Sequence, residues 1–221
     1  MDPLAALSES LNKKEIPLEI YEKILSSREK VEEAIKSVEK ASGIKYPDWY
    51  VYPKALAMKG IVGEASIIYS RFYPLTYQDR LYLLVQLTPP LVLYSSKDTL
   101  LAVLAHEMLH YINFAAKIKS FSISSSEISV SVFESAFADQ GELYSPEAVF
   151  RKGKKIIRLL REKFDVGLKD EALNKKTISR WINKNLPTEY ISPEQNTVRV
   201  SVYSILNYSP EESLKRFLNW T

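Results

Sequence analysis

Between residues 99 and 116 the chain carries only four ionisable side chains, His106, Glu107, His110 and Tyr111, and apart from Thr99 and Asn113 the rest is apolar. A segment this rich in Leu, Ala and Met is expected to form a helix buried on all sides, so the fold has to be built around it. Its length raises the question of a membrane span. Glu107, two histidines and Asn113 at its centre, with no partners inside the segment, argue against one. The helix onset is signalled twice: Ser95 followed by Asp98 resembles a capping box, and Ser96 is an alternative cap.

The chain has two histidines, and both stand in this segment, four positions apart. Side chains at i and i+4 of a helix lie over one another with Cβ atoms about 5–6 Å apart, so both imidazoles can reach one tetrahedral metal ion. Glu107 projects beside that face, where it can take a proton from water activated by the ion. A buried carboxylate without a partner costs roughly 3–5 kcal/mol, and water held by zinc would compensate it. The plainer reading keeps His106 and His110 as satisfied core histidines and pairs Glu107 with a distant Lys or Arg.

Catalytic zinc takes three protein ligands and leaves a fourth position open. With no third His and no Cys in the chain, the third ligand has to be a carboxylate. The segment 126–139 reads as a second buried helix, capped by Ser124, Ser125 or Ser126 and ended near Gly141. Glu134 is the one charged residue between Glu127 and Asp139 and is bracketed by Phe133, Ala136 and Phe137, which makes it the candidate. Glu127 sits in the expected first turn, where free amides already favour a carboxylate, and Glu142 follows the expected helix end.

Taken together, residues 95–141 resemble the catalytic core of gluzincin-type metallopeptidases, in which His-Glu-x-x-His is followed by a glutamate on the next helix. Val103, Leu104 and Ala105 before the motif and Tyr111 and Ile112 after it fit the longer pattern of zinc-peptidase helices. The metzincin spacing is excluded, because its glycine and third histidine would fall on Asn113 and Ala116. The resemblance implies an α+β fold: a zincin-like catalytic core with a small mixed sheet, an active-site helix and a largely helical C-terminal part. It implies hydrolysis of a peptide or protein substrate with Zn2+ as cofactor, His106, His110 and Glu134 as metal ligands and Glu107 as general base. It also makes Asp139 the candidate for orienting the first histidine, five residues after Glu134 where the family commonly has four.

Three regions are expected within one domain: an N-terminal helical segment (1–44) packed on the core, the core itself (45–144) and a mainly helical part (145–221). Apolar positions Ile20, Ile24, Val31, Ile35 and Val38 give residues 17–42 a helical period. Residues 46–94 turn to aromatic and β-branched types, with strands expected at 65–69 and 81–87. One edge of that sheet could seat an extended peptide. Ser145-Pro146-Glu147, Ser192-Pro193-Glu194 and Ser209-Pro210-Glu211 each look like a helix start, although 197–205 is β-branched enough for a strand. Tyr144, Tyr190, Tyr203, Tyr208 and the arginines are the candidates for stabilising a tetrahedral oxyanion.

No disulfide is possible without Cys, and the start of the chain lacks the pattern of a signal peptide, so a cytoplasmic location is expected. Arg151, Lys152, Lys154, Lys155, Arg158, Arg161 and Lys163 form a basic stretch interleaved with apolar residues. A net charge of +3 and the absence of a nucleic-acid motif favour a solvated helix face over a nucleic-acid contact there. The alternative to an enzyme is a catalytically inactive zincin-like binding or structural protein, in one version associated with nucleic acid through the 151–163 helix. Oligomeric state is not legible.

Overall fold

In the computed structural model the apolar segment is the helix expected, α5 (Lys97–Lys119), and the other elements pack around it. The structure describes residues 2–59, 65–120, 144–165, 167–191, 200 and 202–220. Ser96 is the cap, its hydroxyl accepting from the amide of Thr99 at 3.0 Å, so the second of the two expected starts holds. Asp98 in the first turn and Lys117 and Lys119 in the last complement the helix dipole. Lys119 reaches further, donating to the carbonyls of Leu218 (2.6 Å) and Asn219 (2.7 Å). Leu100, Leu104, Met108 and Ile112 are fully buried, as a helix apolar all round requires.

On one side α5 meets α3 (Arg28–Ser42), which buries Val31, Ile35 and Val38. The stretch 17–42, expected to be helical, forms two helices, α2 (Leu18–Ser26) and α3. The break has a local cause: the hydroxyls of Ser26 and Ser27 both bond back to the carbonyl of Lys23, at 2.9 and 2.8 Å, in competition with the helix ladder. α3 ends at Gly43, whose φ of 73° supplies the left-handed residue that closes a helix. A further helix, α1 (Ala5–Asn12), lies ahead of these and buries Leu7.

The strands form two three-stranded mixed sheets where one was expected. In the first, β5 (Arg80–Leu87) is central, parallel to β1 (Asp48–Val51) and antiparallel to β4 (Ser70–Tyr77). β4 and β5 join through Gln78 and Asp79, both at positive φ, the turn geometry that matches strand twist in a two-residue hairpin. The register places Ser70 opposite Leu87 and Phe72 opposite Val85, so these four share one face. That face lies against α5, with Phe72 packed on Tyr111 and Phe114 at ring separations of 6.2 and 5.4 Å. In the second sheet β2 (Ala55–Lys59) lies between β3 (Ala65–Ile68) and β6 (Thr188–Ile191).

After β5 comes α4 (Pro89–Tyr94), with prolines in its first turn. The C-terminal part holds α6 (Pro146–Val149), α7 (Lys154–Lys163), α8 (Glu171–Arg180), α9 (Val202–Leu206) and α10 (Glu212–Leu218). Ser145 caps α6 as expected. α10 starts later than expected: Glu211, not Ser209, is the cap, its carboxylate accepting from the amide of Ser213 at 2.8 Å. Residues 202–206 are helical and not strand; the starts at 192 and 197 lie outside the described residues. The basic stretch is α7, which buries Ile156, Leu159 and Leu160 against α5. Among the described residues no helix is long and apolar enough to cross a membrane.

Candidate metal centre

Midway along α5, His106 and His110 are one turn apart, and their side chains converge. The two Nε2 atoms are 3.0 Å from each other, with the rings nearly perpendicular at a centroid distance of 4.6 Å. Two ligand nitrogens on a tetrahedral zinc ion, each about 2.0–2.1 Å from it, are about 3.3–3.4 Å apart. Seating the ion between these imidazoles therefore asks for movement of a few tenths of an ångström. At 3.0 Å the pair can also share one hydrogen bond, with one ring as donor and the other as acceptor.

Glu107 is buried, with 4 % of its surface exposed. Its Oε1 accepts a hydrogen bond from the hydroxyl of Ser70 at 2.5 Å, a charge-assisted contact from the first residue of β4. Its Oε2 is buried and has no hydrogen-bond partner among the described residues. No Lys or Arg pairs with that oxygen among the described residues either. A buried acceptor in this state implies a missing donor, and water held by a metal ion at the adjacent imidazoles is a donor of the right kind. Two converging imidazoles with a buried carboxylate beside them are thus the right donor types for zinc, short of the third ligand.

Tyr46, between α3 and β1, is a second neighbour of this site. Its hydroxyl donates to the carbonyl of Leu104 at 2.9 Å, and burial first, the nearby Glu107 charge second, push its phenol well above the ordinary range. It stays a neutral donor at any physiological pH. Phe164, at the C-terminal end of α7, lies flat on the His106 ring, with centroids 4.1 Å apart and planes 7° from parallel. Ser70, Tyr46 and Phe164 were not singled out in the sequence. Ser70 stands out only once β4 is known: it shares the inward face with Phe72 and is a hydroxyl where an apolar residue is expected.

Glu134 and Asp139, like Glu127 and Glu142, lie outside the described residues, and among the described residues no third metal-ligating side chain joins the two histidines. Of the oxyanion candidates, Tyr208 packs edge-on against Trp220 at 6.1 Å, and burial raises its phenol and that of Tyr111, the latter to about 12. Tyr144 packs edge-on against Phe217 at 5.9 Å, while Tyr190 and Tyr203 are exposed. In the basic helix, Lys155 pairs with Asp98, Arg158 with Glu162, Arg161 with Glu147 and Lys163 with Asp170. Its polar face is thus laced by ion pairs to its own neighbours. Comparison of the chain with family models, with curated proteins and with solved structures gives no match.

Proposed function

We propose that this chain is a zinc metallopeptidase with a zincin-like core, hydrolysing peptide bonds in a peptide or protein substrate. The observation that carries the reading is the convergence of the two Nε2 atoms at 3.0 Å beside a buried glutamate with one oxygen held by Ser70 and the other without a partner among the described residues. His106 and His110 would hold the ion together with Glu134. Zinc, when bound, supplies Lewis acidity that polarises a carbonyl and makes water a nucleophile near neutral pH. Oε2 of Glu107 would take the proton of the attacking water and return it to the leaving amine, with Oε1 held by the Ser70 hydroxyl. β4 is an outer strand in the described part of its sheet and begins at Ser70, so an extended substrate pairing with it would pass Glu107.

The test compares wild type with Glu107→Gln, which keeps size and the acceptor for Ser70 but cannot act as the base. Both proteins should retain one zinc per chain, and cleavage of a peptide library should fall at least about 10²-fold in the variant. Equal cleavage by both, or wild type that takes up no zinc, would overturn the proposal. A second reading, a catalytically inactive binding or structural protein, draws on the same 3.0 Å contact, since the two imidazoles can satisfy each other without metal. It predicts no cleavage by either protein; the version that binds nucleic acid through 151–163 adds salt-dependent retention on DNA.

A further inference from the structure

Phe164 has no part in the chemistry above, yet it covers a full face of a metal-ligand candidate. The segment that carries it runs along α5. Thr99 and His106 are seven residues apart on that helix, two turns or about 10–11 Å, and therefore lie on one stripe. Two residues that follow α7 meet this stripe: Phe164 rests on His106 at one end, and Asp170 bonds to Thr99 at the other. Oδ2 of Asp170 accepts from the Thr99 hydroxyl at 2.5 Å and from Lys163 Nζ at 3.2 Å, and Oδ1 accepts from the Leu173 amide at 2.9 Å as the cap of α8. The loop is closed on itself by the Lys169 amide donating to the Lys163 carbonyl at 2.7 Å and by the Lys169–Asp165 ion pair at 2.6 Å.

Burial pushes the Asp170 carboxyl up, but the hydrogen bonds from Thr99, the Leu173 amide and Lys163 outweigh it and hold the group below its ordinary value, so it is charged at neutral pH. The clasp is therefore an ionic one, set across the first turns of α5. A ring stacked on an imidazole restricts its rotation without occupying either nitrogen, whereas a hydrogen bond would use one of them.

We propose that Phe164 is a positioning residue for His106: its stacked ring fixes the imidazole plane so that Nε2 stays directed at His110, and the Lys163–Asp170–Thr99 clasp holds Phe164 there. For metal affinity this rests on the zinc reading; for the ring itself it does not. The test uses the full chain as wild type, Phe164→Leu, Phe164→Tyr and Thr99→Val. With two histidines in the chain, imidazole carbon–proton spectra of the metal-free proteins show two sets of ring signals. The His106 set should lie upfield in wild type and Phe164→Tyr, through the ring current of residue 164, and move downfield and broaden in Phe164→Leu.

Zinc competition against a chromophoric chelator should show affinity about tenfold weaker in Phe164→Leu, a smaller loss in Thr99→Val, and Phe164→Tyr within about twofold of wild type. Thermal unfolding identifies any variant that does not fold, and Thr99→Val, which keeps the Phe164 side chain and removes only a bond of its clasp, then carries the affinity comparison. Ring signals unchanged by Phe164→Leu, or equal zinc affinity of the folded variants and wild type, would overturn the inference. If wild type takes up no zinc, the peptidase reading falls, and the ring spectra alone decide this one.

Discussion

Ser70→Ala removes a single hydroxyl, and the structure sets what that should cost. The hydroxyl donates to Oε1 of Glu107 at 2.5 Å, and Oε2 already lacks a partner among the described residues. A hydrogen bond to a charged group contributes about 1.5–3 kcal/mol net. In the metal-free protein the substitution should therefore lower unfolding free energy by about that much. At roughly 2–4 °C per kcal/mol for a chain of this size, the melting point should fall by about 3–12 °C. In a Glu107→Gln background the same change removes only a neutral bond, about 0.5–1.5 kcal/mol. The double-mutant cycle should accordingly show a coupling of about 1 kcal/mol or more between positions 70 and 107. Urea unfolding of the four proteins measures it, provided the denaturant slope is unchanged. Hydrolysis by Ser70→Ala should fall about tenfold, the equivalent of losing about 1.4 kcal/mol of orientation at the transition state. Equal losses in both backgrounds would show that Ser70 does not act through the Glu107 charge.

Two further outcomes follow, the first from the sequence and the second from the contacts of Asp170. Glu134→Gln should weaken zinc retention far more than Glu127→Gln or Glu142→Gln, measured by dialysis against a zinc buffer; if Glu127 is the sensitive position, the register proposed for the second ligand helix is wrong. Because the folded Asp170 carboxyl titrates below its ordinary 3.8, its contribution to stability is complete above that pH and is lost as pH falls through the lower folded value. The gap in denaturant midpoint between wild type and Asp170→Asn should thus be constant near neutrality and close below about pH 3.8, and a gap that widens in acid would contradict the clasp.

The parts of the fold that were legible are those whose signal is local. The apolar run 99–116 announced α5 because no other environment accepts it, and Ser96 and Asp98 marked its start. Strands 65–68 and 80–87 lie within a residue of the expected ones, since β-branched and aromatic runs bounded by turns carry their own period. The break at Ser27 was hidden because the apolar period continues through it, and only the two hydroxyl bonds to Lys23 show why the ladder fails there. The division into two sheets depends on strand pairing between β2 and β6, some 130 residues apart, on which local pattern is silent. That His106 and His110 would face one another on one helix, with Glu107 beside them in sequence, was readable from spacing. Ser70 and Phe164 were not, because each reaches the motif from another element.

This division between local donors and distant supports bears on what the helix could do alone. A peptide corresponding to α5 contains both imidazoles and the carboxylate at the right spacing, but nothing in it restrains them. Each side chain would keep its rotamer freedom, and Glu107 would be solvated and have no need of a partner. In the folded chain, Phe164 restrains one imidazole, Ser70 restrains the carboxylate, and Phe72 packs β4 onto α5 so that Ser70 arrives in register. Burial strips water from Glu107 and leaves Oε2 without a donor among the described residues, a cost offset by the burial of Leu100, Leu104, Met108 and Ile112 on the same helix. The reactivity proposed for Glu107 and the instability it introduces are therefore the same physical fact, a desolvated carboxylate with one acceptor left open.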